Sequence, residues 1–404
     1  MANFDLMRRL ALEEGGKILL LVMDGLGGLP REAGGPTELE AAHTPNLDRL
    51  AREGSVGLSI PVARGIAPGS GPAHLALFGY DPLVYEIGRG VLEATGIGLE
   101  VRPGDVAIRG NFCTVDENGL ITDRRAGRIS TEEGAKRVAL LKDIQIPGVQ
   151  ISIEIAKEYR FAMVLHGEGL HGAIADTDPQ QTGVAPLPAR ALEPAAEKTA
   201  ALVNQWLEEA RKRLKGQEPA NMCTLRGFAM EPGLPKYRDV YKLKAACVAV
   251  YPMYKGVASL VGMDVIETTA HDTTQDQFNK VAQIWDQYDF VFCHIKYTDS
   301  RGEDGDFDAK VKVIEGVDAA LPTLLDLKPD VLIVTGDHST PATYRAHSWH
   351  PVPTLLWAPA THMPDRAQAF GERECMVGAL GQFPATDLMP LALAHARRLQ
   401  KFGA

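Results

Sequence analysis

The sequence predicts an α/β fold: a mostly parallel sheet flanked by helices, plus a smaller inserted α/β domain. Three observations predict it. Continuous apolar runs of strand length recur along the 404 residues, "ILLLVM" being the first; such runs suit parallel strands covered on both faces. Helical patterns lie between several of them, and alternating strands and helices favour a largely parallel sheet. Gly- and Pro-containing passages near Asp81–Pro103 and Pro219–Pro235 divide the chain. They suggest one discontinuous core, residues 1–85 and 250–404, interrupted by a domain over 86–249.

In order, "KILLLVMD" (Lys17–Asp24) reads as a buried strand. "HTPNLDRLAREG" reads as a helix with Thr44 as N-cap, Pro45 at its first position, Leu47 and Leu50 on one face, and Gly54 as its stop. Further strands are expected at "QISIEIA", "RFAMVLH", "ACVAVYP", "DFVFCHI", "DVLIVTG" and "PTLLWAP". The clearest helix runs from Pro194 to Leu214; its stripe of Leu202, Val203, Trp206, Leu207, Ala210 and Leu214 is core packing. The sequence shows no internal repeat and no low-complexity segment.

Composition narrows the function. Hydrophobic residues make up 45% and charged residues 23%, as in ordinary globular proteins. The net charge of −10 argues against broad nucleic-acid or anionic-membrane binding, which needs a basic footprint. A local basic pocket for a small anion remains allowed. The longest apolar runs are too short to span a bilayer. Acids mix with bases in "MANFDLMRRLALEEGGK", which does not read as a signal peptide. The five cysteines, Cys113, Cys223, Cys247, Cys293 and Cys375, are scattered and form no C-x-x-C. Reduced, structural cysteines and a cytoplasmic location are expected.

Four segments place metal-type ligands just after a strand or in the loop behind it. Asp24 follows "ILLLVM"; Asp299 follows "FVFCHIK", with Glu303 four residues on; Asp337 and His338 follow "LIVTG"; His347 comes nine residues later. In open α/β sheets, groups at the carboxyl ends of strands converge on one crevice. Several carboxylates there raise one another's pKa unless a cation holds them ionised. One or two divalent ions would do so. Each site taken singly also fits a turn or a helix cap. In "GIAPGSGPAHLALFGYDP", Ser70 lies between two glycines, and Pro72 can start a helix through His74, Leu75 and Leu77. A serine there either caps the helix or meets a phosphate at free backbone N–H groups. Metal coordination would turn it into a nucleophile.

The blocks "MDGLGG", "TPNLDRLAREG", "APGSGPAHLALFGYDP", "GRGVLEATG", "RAGRIST", "GEGLHGAIADTDP", "HIKYTDSRGEDGD" and "TGDHSTP…HSWHPVP" resemble, in the same order, the archaeal-type cofactor-independent phosphoglycerate mutases of the alkaline phosphatase superfamily. The resemblance runs from about residue 17 to beyond residue 390. It implies an alkaline-phosphatase-like core and interconversion of 3- and 2-phosphoglycerate through a phosphoserine, without bisphosphoglycerate. Ser70 looks like the nucleophile. Asp24, Ser70, Asp337 and His338 look like one metal site; Asp299, position 303 and His347 look like the other. The family expects histidine at position 303, where this chain has Glu303. That substitution favours Mn²⁺ or Mg²⁺ over Zn²⁺, with Co²⁺ also allowed. Lys255 in "YPMYKG" resembles the lysine that polarises the phosphate. Arg125 and Arg128 resemble guanidinium clamps for the substrate anion, the alternative being solvated surface arginines. His166, Asp176 and Asp178 are candidate acid/base or glycerate partners. His74 either touches substrate or packs its helix, and His294 reads as a core histidine. The expected partner is a small phosphoglycerate; a homo-oligomer is allowed. The same core also suits another phosphotransferase or phosphohydrolase of the superfamily, or a non-catalytic paralogue.

Overall fold

The computed structural model describes residues 4–361 and 363–403. Among them thirteen strands run in chain order: β1 Ile18–Met23, β2 Ser55–Ile60, β3 Val106–Val115, β4 Ile121–Asp123, β5 Gln150–Lys157, β6 Arg160–His166, β7 Met222–Met230, β8 Ala245–Ala249, β9 Asp264–Val265, β10 Phe290–Ile295, β11 Val331–Thr335, β12 Val352–Trp357 and β13 Gly381–Pro384. The chain forms two compact units, Met1–Glu86 with Leu234–Ala404, and Ile87–Gly233.

The first unit is built on an eight-stranded sheet in the order β13-β2-β12-β11-β1-β10-β8-β9. Its centre is parallel: β1 pairs with β10 and β11, and β10 with β8. Every residue of β1, β10 and β11 is buried, as the unbroken apolar runs require. Leu19, Leu21 and Met23 join Val291, Cys293, Ile295, Leu332 and Val334 in one core. Helix Phe307–Ala320 contributes Ile314 and Val317 to that core. On the opposite face, Phe292 meets His74 of helix Ser70–Leu77 and Phe78 at its C-cap, with ring centroids 5.6 and 4.9 Å away. Each large apolar side chain buried this way stabilises the fold by roughly 1.5–3 kcal/mol before chain entropy is counted. The sheet departs from the parallel pattern at β12, which runs antiparallel to both β11 and β2.

The return from the insertion comes at Leu234, not at residue 250 as the sequence suggested. Helix Tyr237–Tyr241 and β8 belong to the first unit, because the apolar run "AACVA" pairs along β10. The Pro45–Glu53 helix forms as expected, but the Thr44 side chain caps nothing. Asp318 does so instead: its carboxylate accepts from the backbone N–H of Asn46 and of Leu47, the latter at 2.7 Å. Tertiary contact thus replaces the local cap.

The second unit departs from a parallel arrangement. "QISIEIA" and "RFAMVLH" form a hairpin, β5 against β6, with Lys157 opposite Arg160. Two intervening residues are too few for a parallel crossover. Strand β3 pairs antiparallel with β4, β6 and β7. Helices Thr131–Leu141 and Glu197–Leu214 bury Val138, Leu141, Val203 and Trp206 with Ile153 and Phe161. The expected helix at Pro194 opens with a 3₁₀ turn, Pro194–Ala196. No helix among the described residues is long and apolar enough to cross a membrane.

Replacing Asp318 with alanine removes the acceptor for three donors of Asn46 and Leu47. We expect a loss of about 1–2 kcal/mol, read as a lower thermal midpoint, whereas Thr44→Ala should cost less.

Candidate active site

Strands β11, β1 and β10 are adjacent and parallel, so their carboxyl ends open at one edge of the sheet. Asp24 leaves β1, Lys296 and Asp299 follow β10, and Asp337 and His338 follow β11. All but Lys296 are buried outright. His338 Nε2 lies 3.4 Å from Asp24 Oδ1 and 3.2 Å from Asp337 Oδ2. Ser70 Oγ lies 3.2 Å from the same nitrogen. Ser70 is the first residue of its helix, Gly69 is the N-cap, and the serine caps nothing. Its hydroxyl instead faces the cluster. His347 Nε2 lies 3.6 Å from Asp299 Oδ1 and 3.9 Å from Glu303 Oε1, and its ring stacks on His338.

Hydrogen bonding fixes which imidazole nitrogens are bare. Thr340 Oγ1 has one proton, and it donates to Asp299 Oδ1 at 2.7 Å. The hydroxyl therefore accepts from His338 Nδ1–H, 2.9 Å away. That leaves the His338 Nε2 lone pair facing Asp24, Asp337 and Ser70. His347 Nδ1 must donate to the Pro68 carbonyl at 2.9 Å, so in the neutral imidazole Nε2 is bare toward Asp299 and Glu303. Metal-binding histidines are oriented by this kind of outer hydrogen bond.

Two sets of donor atoms converge closely enough for a cation: Asp24, Asp337 and His338, and Asp299, His338 and His347. Asp24 Oδ1 and Asp337 Oδ2 are buried without a hydrogen-bond donor. Burial raises the Asp24 pKa well above the usual carboxylate range, aided by Asp337, and burial pushes Asp337 up to about 7. Burial lowers His338 far below an ordinary histidine, so its imidazole is neutral. Orphaned buried oxygens beside bare imidazole nitrogens fit a divalent cation. Gly25, at φ +62°, permits the tight turn: a Cβ there would meet Thr340 Oγ1 at 2.5 Å and Asp299 Oδ1 at 2.9 Å.

Some residues were not apparent in the sequence. Lys296 Nζ sits 3.0 Å from Asp24 Oδ2 and hydrogen-bonds Asp299. Burial opposes its charge, yet the two carboxylates hold its pKa above the usual lysine value. Read as the tail of "FVFCHIK", it escaped the strand-end rule that found Asp24. Tyr254 donates to Asp24, and Thr340 bridges Asp299 and His338. Lys255, by contrast, donates to the Thr268 carbonyl at 3.3 Å, and the amine among the carboxylates is Lys296. His74 is fully buried: its Nδ1 donates to Ser70 O at 2.8 Å, and it therefore packs behind the serine with no surface for substrate. His294 is buried too, 3.5 Å from Asp24.

In the second unit, Asp178 grips Arg124 through Nε at 3.1 Å and Nη2 at 2.8 Å, and lies 3.7 Å from Arg226 Nη1. Asp176 accepts from Gly227 N–H. The forked arginine is thus Arg124, while Arg125 and Arg128 are exposed. Burial lowers the Arg109 pKa; Glu93 opposes that, and Arg160, Arg89 and Arg226 add to it. Such a guanidinium cluster suits an anion. His166 is held at both ring nitrogens, by Asp105 at 2.7 Å and Ser152 at 2.9 Å.

An α/β sheet delivering carboxylates, bare imidazoles and a serine to one nest defines a metal-dependent enzyme. The family model for 2,3-bisphosphoglycerate-independent phosphoglycerate mutase matches residues 51–221. A relative from Thermus thermophilus, named "Probable 2,3-bisphosphoglycerate-independent phosphoglycerate mutase", is 53% identical over 99% of both chains. One of the same name from Aquifex aeolicus is 50% identical over 99% of this chain and 100% of its own. The solved cofactor-independent phosphoglycerate mutase from Thermoplasma acidophilum is 31% identical, with a TM-score of 0.77 over 94% of this chain and all of that one. The chain belongs to the 2,3-bisphosphoglycerate-independent phosphoglycerate mutases, isomerases of phosphoglycerate.

In the metal-free protein, Asp24 and Asp337 keep protons to higher pH than ordinary carboxylates, and a cation binds their deprotonated forms. Mn²⁺ affinity should therefore rise as pH increases from about 6 to 8, through the Asp337 value of about 7. Calorimetry in buffers of different ionisation enthalpy should show proton release at the lower pH. Equal affinity and no proton release would contradict the site.

Proposed function

We propose that Ser70 carries the phosphoryl group while the protein interconverts 3- and 2-phosphoglycerate. The observation that supports this is the Ser70 hydroxyl itself, free of a capping role and 3.2 Å from a bare His338 nitrogen in the carboxylate nest. Asp24, Asp337, His338 and Ser70 would hold one divalent ion. His338 belongs to both donor sets, but its bare Nε2, near Asp24 and Asp337, offers one lone pair to one ion. The second ion, held by Asp299 and His347, then needs another donor, and Glu303, 3.9 Å from His347 Nε2, is the nearest carboxylate to it after Asp299. This oxygen-rich set suits Mn²⁺ or Mg²⁺ better than Zn²⁺. Bound ions would lower the serine pKa and offset phosphoryl charge.

The chain's own groups supply the rest. Helix Ser70–Leu77 presents free backbone N–H groups at the serine, favouring a phosphoryl oxygen. Lys296 places a permanent positive charge beside Asp24 and Asp299, a role the sequence suggested for Lys255. His74 holds the Ser70 backbone from behind. Ser70 Oγ displaces the glycerate from phosphorus, and the returning glycerate takes the group back on its other hydroxyl. In the second unit, Arg124 and Arg226, braced by Asp178, have the fork geometry that suits a carboxylate.

Ser70→Ala should lower isomerisation without added bisphosphoglycerate by on the order of 10³-fold or more. Intact mass after acid quench should show one phosphoryl group on the wild type and none on the variant. Retained turnover in Ser70→Ala, or release of free phosphate in place of 2-phosphoglycerate, would refute the proposal. Glu303→Ala should lower bound Mn²⁺ by one ion per chain, counted by elemental analysis; an unchanged count would remove Glu303 from the donor set.

A further inference from the structure

Helix Phe307–Ala320 carries a lysine on its buried side, among the apolar residues that pack it onto the sheet. Lys310 has no exposed surface. Its ammonium has three N–H donors, and all three are used: on Gly25 O at 2.9 Å, Gly27 O at 3.0 Å and Thr340 O at 2.9 Å. The first two carbonyls belong to the turn that begins at Asp24. The third belongs to the loop that begins at Asp337 and His338. One cation thus joins the two loops that leave β1 and β11.

The counter-charge follows the same plan. Glu38 Oε1 lies 4.0 Å from Lys310 Nζ. That carboxylate accepts from Ala342 N–H at 2.7 Å and from Leu29 N–H at 3.0 Å, again one group from each loop. The hydroxyl of Thr340, whose carbonyl Lys310 holds, in turn bridges Asp299 and His338. Stability is a weak reason to bury such a pair: apolar residues of similar volume usually serve as well. What the pair adds is geometry, because three carbonyls pointing at one spot need a three-donor cation.

We infer that Lys310 is a positioning residue, fixing the turn after Asp24 against the loop after His338 so that their donor atoms meet at cation-binding spacing. The inference rests on the proposed reading of Asp24, Asp337 and His338 as metal donors. Outer groups that orient ligands typically contribute 10–100-fold to metal affinity.

A matched control exists in the same unit. Arg398 is also buried and also donates to backbone carbonyls, Gly16 O and Glu13 O at 2.8 Å, while pairing with Asp289 at 2.7 Å. Gly16 and Asp289 precede β1 and β10, so Arg398 does its work at the amino ends of the strands. Mn²⁺ binding and thermal midpoints should be measured for full-length wild type, Lys310→Met and Arg398→Met. Both variants should melt lower. Lys310→Met should raise the Mn²⁺ dissociation constant 10–100-fold. Arg398→Met should leave it within about twofold. Wild-type affinity in Lys310→Met, or an equal loss in Arg398→Met, overturns the inference. If Lys310→Met does not fold, Lys310→Gln keeps two N–H donors and decides the question. A loss of about threefold or more supports the inference and a smaller one overturns it. Failure of the wild type itself to bind Mn²⁺ would instead sink the metal reading beneath.

Discussion

Three carboxylates are forced together by the hydrogen bonding of a parallel sheet, and the rest of the site is arranged to tolerate that. β11, β1 and β10 are neighbours, so whatever follows their last residues must share one edge. Asp337, Asp24 and Asp299 occupy those positions, and burial with mutual repulsion drives the first two toward protonation. A site of this kind collapses or takes a proton unless positive charge is supplied. Lys296 supplies some of it from within the chain. It lies on the Asp24 Oδ2 side, leaving Asp24 Oδ1 and Asp337 Oδ2 without a donor.

Orientation matters as much as charge. The bare nitrogens of His338 and His347 follow from a threonine hydroxyl and a proline carbonyl, each of which engages the Nδ1 of its ring. Gly25 leaves room for Thr340 to reach Asp299. Gly302 likewise has no side chain to clash with the Thr340 carbonyl, which is thereby free to meet Lys310. The loops therefore hold their shape through backbone groups and small residues, while the candidate donor side chains project from them.

The central sheet was legible in the sequence because burial on both faces leaves an unbroken apolar signature in β1, β10 and β11. The same logic located Asp24, Asp299, Asp337 and His338, which end such runs. It missed β3 and β7, where Arg109, Asn111, Arg226 and Gly227 break the apolar pattern. Sheet polarity in the second unit was not legible either, since direction depends on pairing partners and not on strand composition. Lys296 and Lys310 were hidden for a related reason. A charged residue inside an apolar helix or at a strand end has meaning only once its partners, hundreds of residues away in sequence for Asp24 and Gly25, are known.

Arg124 shows how a motif leaves open which of its side chains is held in place. The run "DRRAGR" offers three guanidiniums, and composition cannot choose among them. Folding does: Ala126 and Arg128 adopt left-handed backbone, with φ of +46° and +51°. In that turn Arg125 and Arg128 are left exposed, while Arg124 reaches the largely buried Asp178. A guanidinium gripped by a carboxylate has already lost much of its side-chain freedom, so meeting an anion costs it less further entropy than it would cost a solvated neighbour. Asp178 and Asp176 are themselves engaged, the first by Arg124 and the second by the Gly227 N–H, so both carboxylates hold neighbouring groups in place.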